Sequence, residues 1–299
     1  MIIECVANVS EGRDATALAV MAQAIHAVPG AHLADVHSDL DHHRSVFTVL
    51  GGPAAVEAAA LALAEAALAR IDMREHHGLH PRLGALDVVP FVPLGNTPMR
   101  VAVDTAWRVG EALAARHALP VYFYGAAARS SARRELPDVR RGGYENLAAR
   151  LGTPAGAPDV GPARFDGRAG AIVVGARDVL VAYNVWLETP EIDVARAVAR
   201  AVRERDGGLP AVRALGLPLP SRGVVQVSLN LLDYRLTPLP VAFDRVAEEA
   251  HRRGVAVRRG ELVGLAPRAA FAGRAPASVG LPDFTGDREL DVQIARATA

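Results

Sequence analysis

The stretch AIVVGARDVLVAYNVWL, residues 171–187, decides how the chain divides. It holds two β-branched and aromatic runs broken by Gly, Arg and Asp, which predicts a strand pair with a turn near Gly175. Upstream, apolar periodicity gives strand 2–7, helix 15–27, strands 32–37 and 43–50, helix 53–71 and strand 85–91, then helix 101–117 and a short strand at 120–124. Downstream it gives a strand at 178–184, helix 190–204, strands near 211–217 and 223–231, helix 239–253 and strand 255–263. Each side spells β-α-β-β-α-β. The expected fold class is therefore α+β, two ferredoxin-like (βαββαβ) subdomains over 1–177 and 178–299. Each would bury one sheet face under two helices, so the cleft between the free faces is the expected ligand site. Residues 134–170 are rich in Gly, Pro, Asp and Arg, with a helix expected near 143–151, and such long connections are usually functional or linkers. The tail from 264 to 299 carries a predicted helix near PRAAFAG, a Gly/Pro break and a short amphipathic end.

Composition narrows the function. The 299 residues carry 33 basic and 33 acidic side chains, so no net field favours nucleic acid or an anionic membrane. All the basic residues are arginine. Without lysine, a Schiff base, a pyridoxal phosphate anchor and a P-loop are excluded. The single Cys5 allows neither an intrachain disulfide nor a Cys-based zinc site and reads as a core residue of the first strand. Met1 leads into IIECVANV rather than a signal peptide, and the apolar helix at 53–71 carries Glu57, Glu65 and Arg70, so a cytoplasmic protein without membrane spans is expected. The expected partners are small molecules, with a homodimer formed through sheet edges or faces.

Two polar loops stand before strands, DVHSDLDHHRSVFTV (35–49) and MREHHGLHPRLGALD (73–87). They gather His37, Asp39, Asp41, His42, His43, Arg44, His76, His77, His80 and Arg82. Zinc is chemically open to such residues, but Pro81 breaks any helix there and the HExxH order is missing. A solvated loop, or acid–base work by one histidine, remains beside the metal reading.

The segments CVANVSEGRD, DHHRSVFTVLG, IDMREHHGLHPRLGALDVVPFVPL, PVYFYGAAA, GARDVLVAYNVWL, QVSLNLLD and ELVGLAP together resemble, in order and spacing, the glutamate formiminotransferase domain. HPRxGALDVxPF is its most unusual motif. The resemblance implies a folate-dependent one-carbon transferase of histidine breakdown: the formimino group of N-formimino-L-glutamate passes to tetrahydrofolate, the co-substrate, with no metal. It also implies two sheet-and-helix subdomains facing a folate tunnel. The cyclodeaminase half of bifunctional relatives is not expected.

Residue by residue, the resemblance gives His80, directly before Pro-Arg, the acid–base role. Asp35, Asp39 and Asp41 are expected to hold the cationic amidine or orient that histidine. Arg44 and Arg82 suit a glutamate carboxylate, with structural ion pairs as their alternative. Asn8 and Glu11 in the NVSEG turn are secondary substrate ligands, although a helix cap there is the simpler reading. His76 and His77 read as loop. The folate stretch maps onto Gly161, Pro162, Ala163, Arg164, Phe165, Asp166, Gly167, Arg168, Ala169 and Gly170, where glycine permits close backbone approach. Asn184 and Asn230 occupy matching strand positions and would bond either folate or backbone. Two departures stand out: Leu79 replaces the pattern's Glu, and His43 replaces the Asn of DHNRS. The Leu79 change keeps open a formylglutamate or 5-formyltetrahydrofolate enzyme, and a non-catalytic folate binder stands as a separate alternative.

Overall fold

The computed structural model describes residues 1–299 and separates into two compact units, Met1–Arg177 with Ala297–Ala299, and Asp178–Arg296. In the first, β1 (Ile2–Val9) leads through α1 (Ala15–His26) to β2 (Ala31–Asp39), β3 (Arg44–Gly51), α2 (Pro53–Arg70) and β4 (Leu86–Leu94). These strands pair antiparallel in the order β2-β3-β1-β4, the ferredoxin-like arrangement. The sheet then continues. After α3 (Met99–His117) comes β5 (Val121–Gly125), then two short helices, α4 (Leu136–Val139) and α5 (Leu147–Leu151), and β6 (Ile172–Ala176), which inserts between β4 and β5 parallel to both.

That insertion corrects the reading of the 171–187 stretch as a strand pair. Its first strand, β6, completes the first sheet, while its second, β7 (Val181–Leu187), opens the second unit. Gly175 is inside β6 rather than in a turn. A Cβ there would stand 2.3 Å from the Tyr124 ring on β5, so the glycine makes room for a neighbour's side chain. β6 is buried along its whole length, as central parallel strands usually are.

The second unit runs β7, α6 (Ile192–Val202), β8 (Val212–Leu219), β9 (Val224–Leu231), α7 (Leu239–His251) and β10 (Val257–Val263), with antiparallel strand order β10-β7-β9-β8. α6 buries Ala195, Val198, Ala199 and Val202, the spacing of one helical face. The PRAAFAG segment forms a 3-10 turn, Arg268–Phe271, and the chain ends in α8 (Leu290–Thr298). No helix is long and apolar enough to cross a membrane.

Alternation along β1 sorts the two faces of the first sheet. Ile3, Cys5, Ala7 and Val9 pack under the helices with Met21, Leu63 and Val109. The register therefore places Glu4 and Asn8, with Asp35, Asp39, Arg44 and Thr48 of the neighbouring strands, on the helix-free face. α4 and α5 cover that face only toward β5 and β6, where Val139, Leu147 and Leu151 pack on Tyr122, Tyr124 and Val173.

Strand direction then fixes the site. β4, β5 and β6 are parallel and β1 opposes β4, so one end of the sheet collects the end of β1, the β2–β3 turn and the starts of β4, β5 and β6. Gly175→Val should lower the free energy of unfolding by ~1–3 kcal/mol, the usual cost of overpacking. Urea unfolding followed by circular dichroism checks this.

Candidate active site

At that end of the sheet the β2–β3 turn is closed by Asp39, whose Oδ1 accepts the His42 backbone N–H at 2.7 Å. His43 adopts φ 49°, a left-handed conformation that Asn, Asp and His tolerate better than most side chains. This accounts for Asn in the resembled pattern and shows why His can replace it. The His43 Nδ1 accepts the Gly12 N–H at 3.1 Å. Arg44 then opens β3 opposite Asp39.

The loop carrying HPRLGALD is docked onto this turn. Its anchor is His76, expected in solvent but buried. The Nε2–H of His76 donates to the His43 carbonyl at 2.8 Å, and its Nδ1 accepts from Arg82 Nε at 3.1 Å, which fixes one neutral tautomer. The two imidazoles stack with centroids 4.5 Å apart. Leu79 N–H reaches the Asp41 carbonyl at 3.3 Å, and Arg13 ties the carbonyls of Leu40 and His77 at 3.0 Å each. Gly78 permits the approach, since a Cβ there would lie 2.3 Å from the His42 carbonyl oxygen. His77 is exposed, as the sequence suggests.

The loop thereby presents His80, half-buried, beside Arg44. Its Nδ1–H donates to the Pro81 carbonyl at 2.8 Å, so Nε2 keeps the lone pair, and Arg44 Nη1 donates to it. The His42 ring stands 5.6 Å away. Burial, then the charges of Arg44, Arg140 and His42, hold the imidazole well below its usual pKa. Arg44 itself is pushed down to about 10 by burial and by Arg140, against the pull of Asp87 and Asp39. The site thus holds an unprotonated imidazole with a defined tautomer under two guanidiniums.

The other candidates divide by what already holds them. Arg82 donates to His76 and pairs with Glu145 at 2.7 Å, so its donors are committed within the protein. Glu11 folds its carboxylate onto the backbone N–H groups of Gly12, Arg13 and Asp14 at 2.7–2.9 Å, while Asp14 caps α1. Asn8 donates to the Val6 carbonyl at 2.9 Å. Asp35 lies four residues before Asp39 on the same face of β2, with His37 between them, and Asp41 is buried in the turn. No three His, Cys, Asp or Glu side chains converge as metal ligands would.

Segment 161–170 crosses the same end of the sheet. Gly161, at φ 84°, packs against the Leu119 carbonyl before β5, and Gly170, at φ 72°, bridges Gly84 in the His80 loop. Asp166 caps the turn by accepting the N–H groups of Arg168 and Ala169 at 2.8 and 3.0 Å. Phe165 is exposed, 5.6 Å from the Tyr144 ring. In the second unit, Asn184 and Asn230 lie on the helix-free face; Asn184 donates to Glu261 at 2.9 Å and Asn230 is exposed.

The formiminotransferase domain N-terminal subdomain matches residues 2–177, and the formiminotransferase domain matches residues 182–276. The chain belongs to the formiminotransferase family. It is a transferase. A glutamate formimidoyltransferase of Streptococcus pyogenes serotype M1 is 36% identical over 97% of this chain and 97% of its own length. One from Thermoplasma acidophilum is 42% identical over 90% and 89%. The formimidoyltransferase-cyclodeaminase of Gallus gallus is 40% identical, but the match spans 51% of that protein.

Sequence reasoning missed Arg140. It follows α4, pairs with the buried Asp87 and stands close enough to His80 to affect its charge. The only signal was RRGGYENL in the irregular segment. His43 also titrates abnormally, pushed down to about 4 by burial and by His76. Because the unfolded chain takes up this proton first, near ~pH 6.5, the folded state should lose stability progressively from there toward pH 4. His43→Asn should therefore match the parent at pH 7 within about 1 kcal/mol and lose less stability at pH 5. Denaturant unfolding at the two pH values measures the difference.

Proposed function

We propose that the protein is a glutamate formimidoyltransferase that moves the formimino group of N-formimino-L-glutamate to tetrahydrofolate, giving 5-formiminotetrahydrofolate and L-glutamate. The observation that carries the reading is His80: a neutral imidazole, its tautomer held by Pro81, at the end of the sheet where the polar groups gather. The relatives named above support the donor.

The chemistry asks for one proton carrier. The pterin N5 attacks the amidine carbon and forms the new C–N bond. His80 Nε2 takes the N5 proton and returns it to the glutamate nitrogen as the tetrahedral intermediate breaks its C–N bond to that nitrogen and keeps the bond to the former imino nitrogen. Glutamate leaves as a neutral amine, so no charge is stranded. Asp39 beside Arg44, with Asp35 and Asp41, provides the negative field an amidinium needs. Arg44 grips a glutamate carboxylate, while Arg82 acts by holding His76. The exposed Phe165 ring and the glycine-bounded turn at 161–170 support a flat pterin against that loop.

Leu79, 44% exposed beside His80, favours one alternative, a formyl rather than formimino donor, because the pattern's carboxylate is missing there. Mixing enzyme and tetrahydrofolate with each donor, and following product absorbance, separates the two. His80→Ala should reduce turnover by ~10²–10⁴-fold while tetrahydrofolate still binds. Unchanged turnover would remove His80 from the mechanism, and folate binding without turnover of either donor would leave a binding protein.

A further inference from the structure

We infer that Arg44 is a latch on the base: it occupies the His80 Nε2 lone pair until the carboxylate of the donor draws its guanidinium away. This rests on the reading of His80 as the proton carrier and adds how that carrier is switched on.

The geometry requires some such step. With Nδ1–H committed to the Pro81 carbonyl at 2.8 Å, Nε2 is the one nitrogen able to accept a proton. Arg44 Nη1 already donates into that lone pair. An occupied lone pair cannot receive the N5 proton. Turning the ring over would expose no better atom, because it would break the Pro81 bond and leave that carbonyl with no partner from the ring.

Arg44 is also poised to leave. A neutral imidazole is a weaker partner for a guanidinium than a carboxylate, which can accept two parallel N–H bonds. The nearby protein carboxylates are engaged elsewhere. Asp87 accepts the Leu83 N–H at 2.8 Å with one oxygen and Arg140 with the other, and Asp39 accepts the His42 N–H at 2.7 Å. Arg44 feels both through space, yet its guanidinium donates to His80. A dicarboxylate such as glutamate supplies what the site lacks.

The surroundings of His80 set the size of the switch. Arg44 comes from β3, Arg140 follows α4, His42 and the carboxylates Asp39 and Asp41 belong to the β2–β3 turn, and Asp87 is on β4. Pairing Arg44 with an incoming carboxylate cancels the nearest cation and raises the ring's basicity, while burial still holds it below that of a free imidazole. Binding the right donor thereby creates the base. A donor without carboxylates would lose turnover as well as affinity.

The test uses the wild-type protein and L-glutamate as the probe. Long-range proton–nitrogen spectra report the tautomer and titration of each histidine, with His80 assigned by comparison with His80→Gln. The expected result is a free protein whose His80 titrates well below pH 6.5, with saturating L-glutamate moving the midpoint up by at least one pH unit, a tenfold gain in proton affinity. In Arg44→Met the midpoint should already lie above that of the free wild-type protein, though still below pH 6.5 because burial persists, and be insensitive to glutamate, with Arg44→Lys intermediate. A His80 midpoint near pH 6.5 without glutamate, or one that glutamate leaves unchanged, overturns the latch. If His80→Ala loses turnover while the midpoint ignores glutamate, the latch alone fails. If His80→Ala keeps turnover, the base reading fails with it.

Discussion

The hydrogen bond from the His76 imidazole to the His43 carbonyl joins two segments that share no ladder: the β2–β3 turn and the loop before β4. Irregular backbone in a buried setting must still find partners for its polar groups, and here side chains supply them. From this bond a chain of contacts runs outward. Arg82 holds the other nitrogen of His76 and pairs with Glu145, while His43 accepts from Gly12 at the end of β1. Cutting either bond of the buried His76 ring strands one of its nitrogens, at ~1–3 kcal/mol each, whereas the exposed Glu145 adds little. His80 has no helix or strand beneath it, so its position is inherited from this network. A histidine that does no chemistry therefore places the one that would.

The parallel extension of the first sheet serves the same end. A plain ferredoxin-like unit would stop at β4 and offer only the β2–β3 turn and one loop. Adding β5 and β6 parallel to β4 brings their starts to the same end, and with them the segments that hold Arg140 and residues 161–170. Gly170 bridging Gly84 and Tyr144 N–H bonding the Arg82 carbonyl at 2.9 Å tie these segments to the loop of His80. The extension thus changes the charge at the base as well as the shape of the sheet.

Much of this was legible in residues. Period-two and helical spacing located every strand and every long helix, and the doubled β-α-β-β-α-β order follows from burial on one face. What was hidden has a common cause. β6 is apolar throughout and parallel, so nothing in its sequence says which sheet it joins, and Gly175 mimics a turn although it serves a ring on the adjacent strand. His76 looks as polar as His77 but is buried by contacts 33 residues away in sequence. Arg140 finds Asp87 across 53 residues. Local pattern carries no record of such pairings.

Leu79 shows how far one substitution can redirect the site. The resembled pattern places a carboxylate beside the histidine, where it would stabilise the imidazolium. Here the position is apolar and exposed, and its backbone N–H is spent on the Asp41 carbonyl. The field on His80 is then dominated by Arg44, Arg140 and His42, all opposing protonation. A base kept neutral this firmly is available over a wide pH range but is weak, since basicity falls with pKa. Such a site gains most from a substrate that brings its own negative charge, because that charge both anchors to Arg44 and restores the proton affinity the missing side chain would have provided.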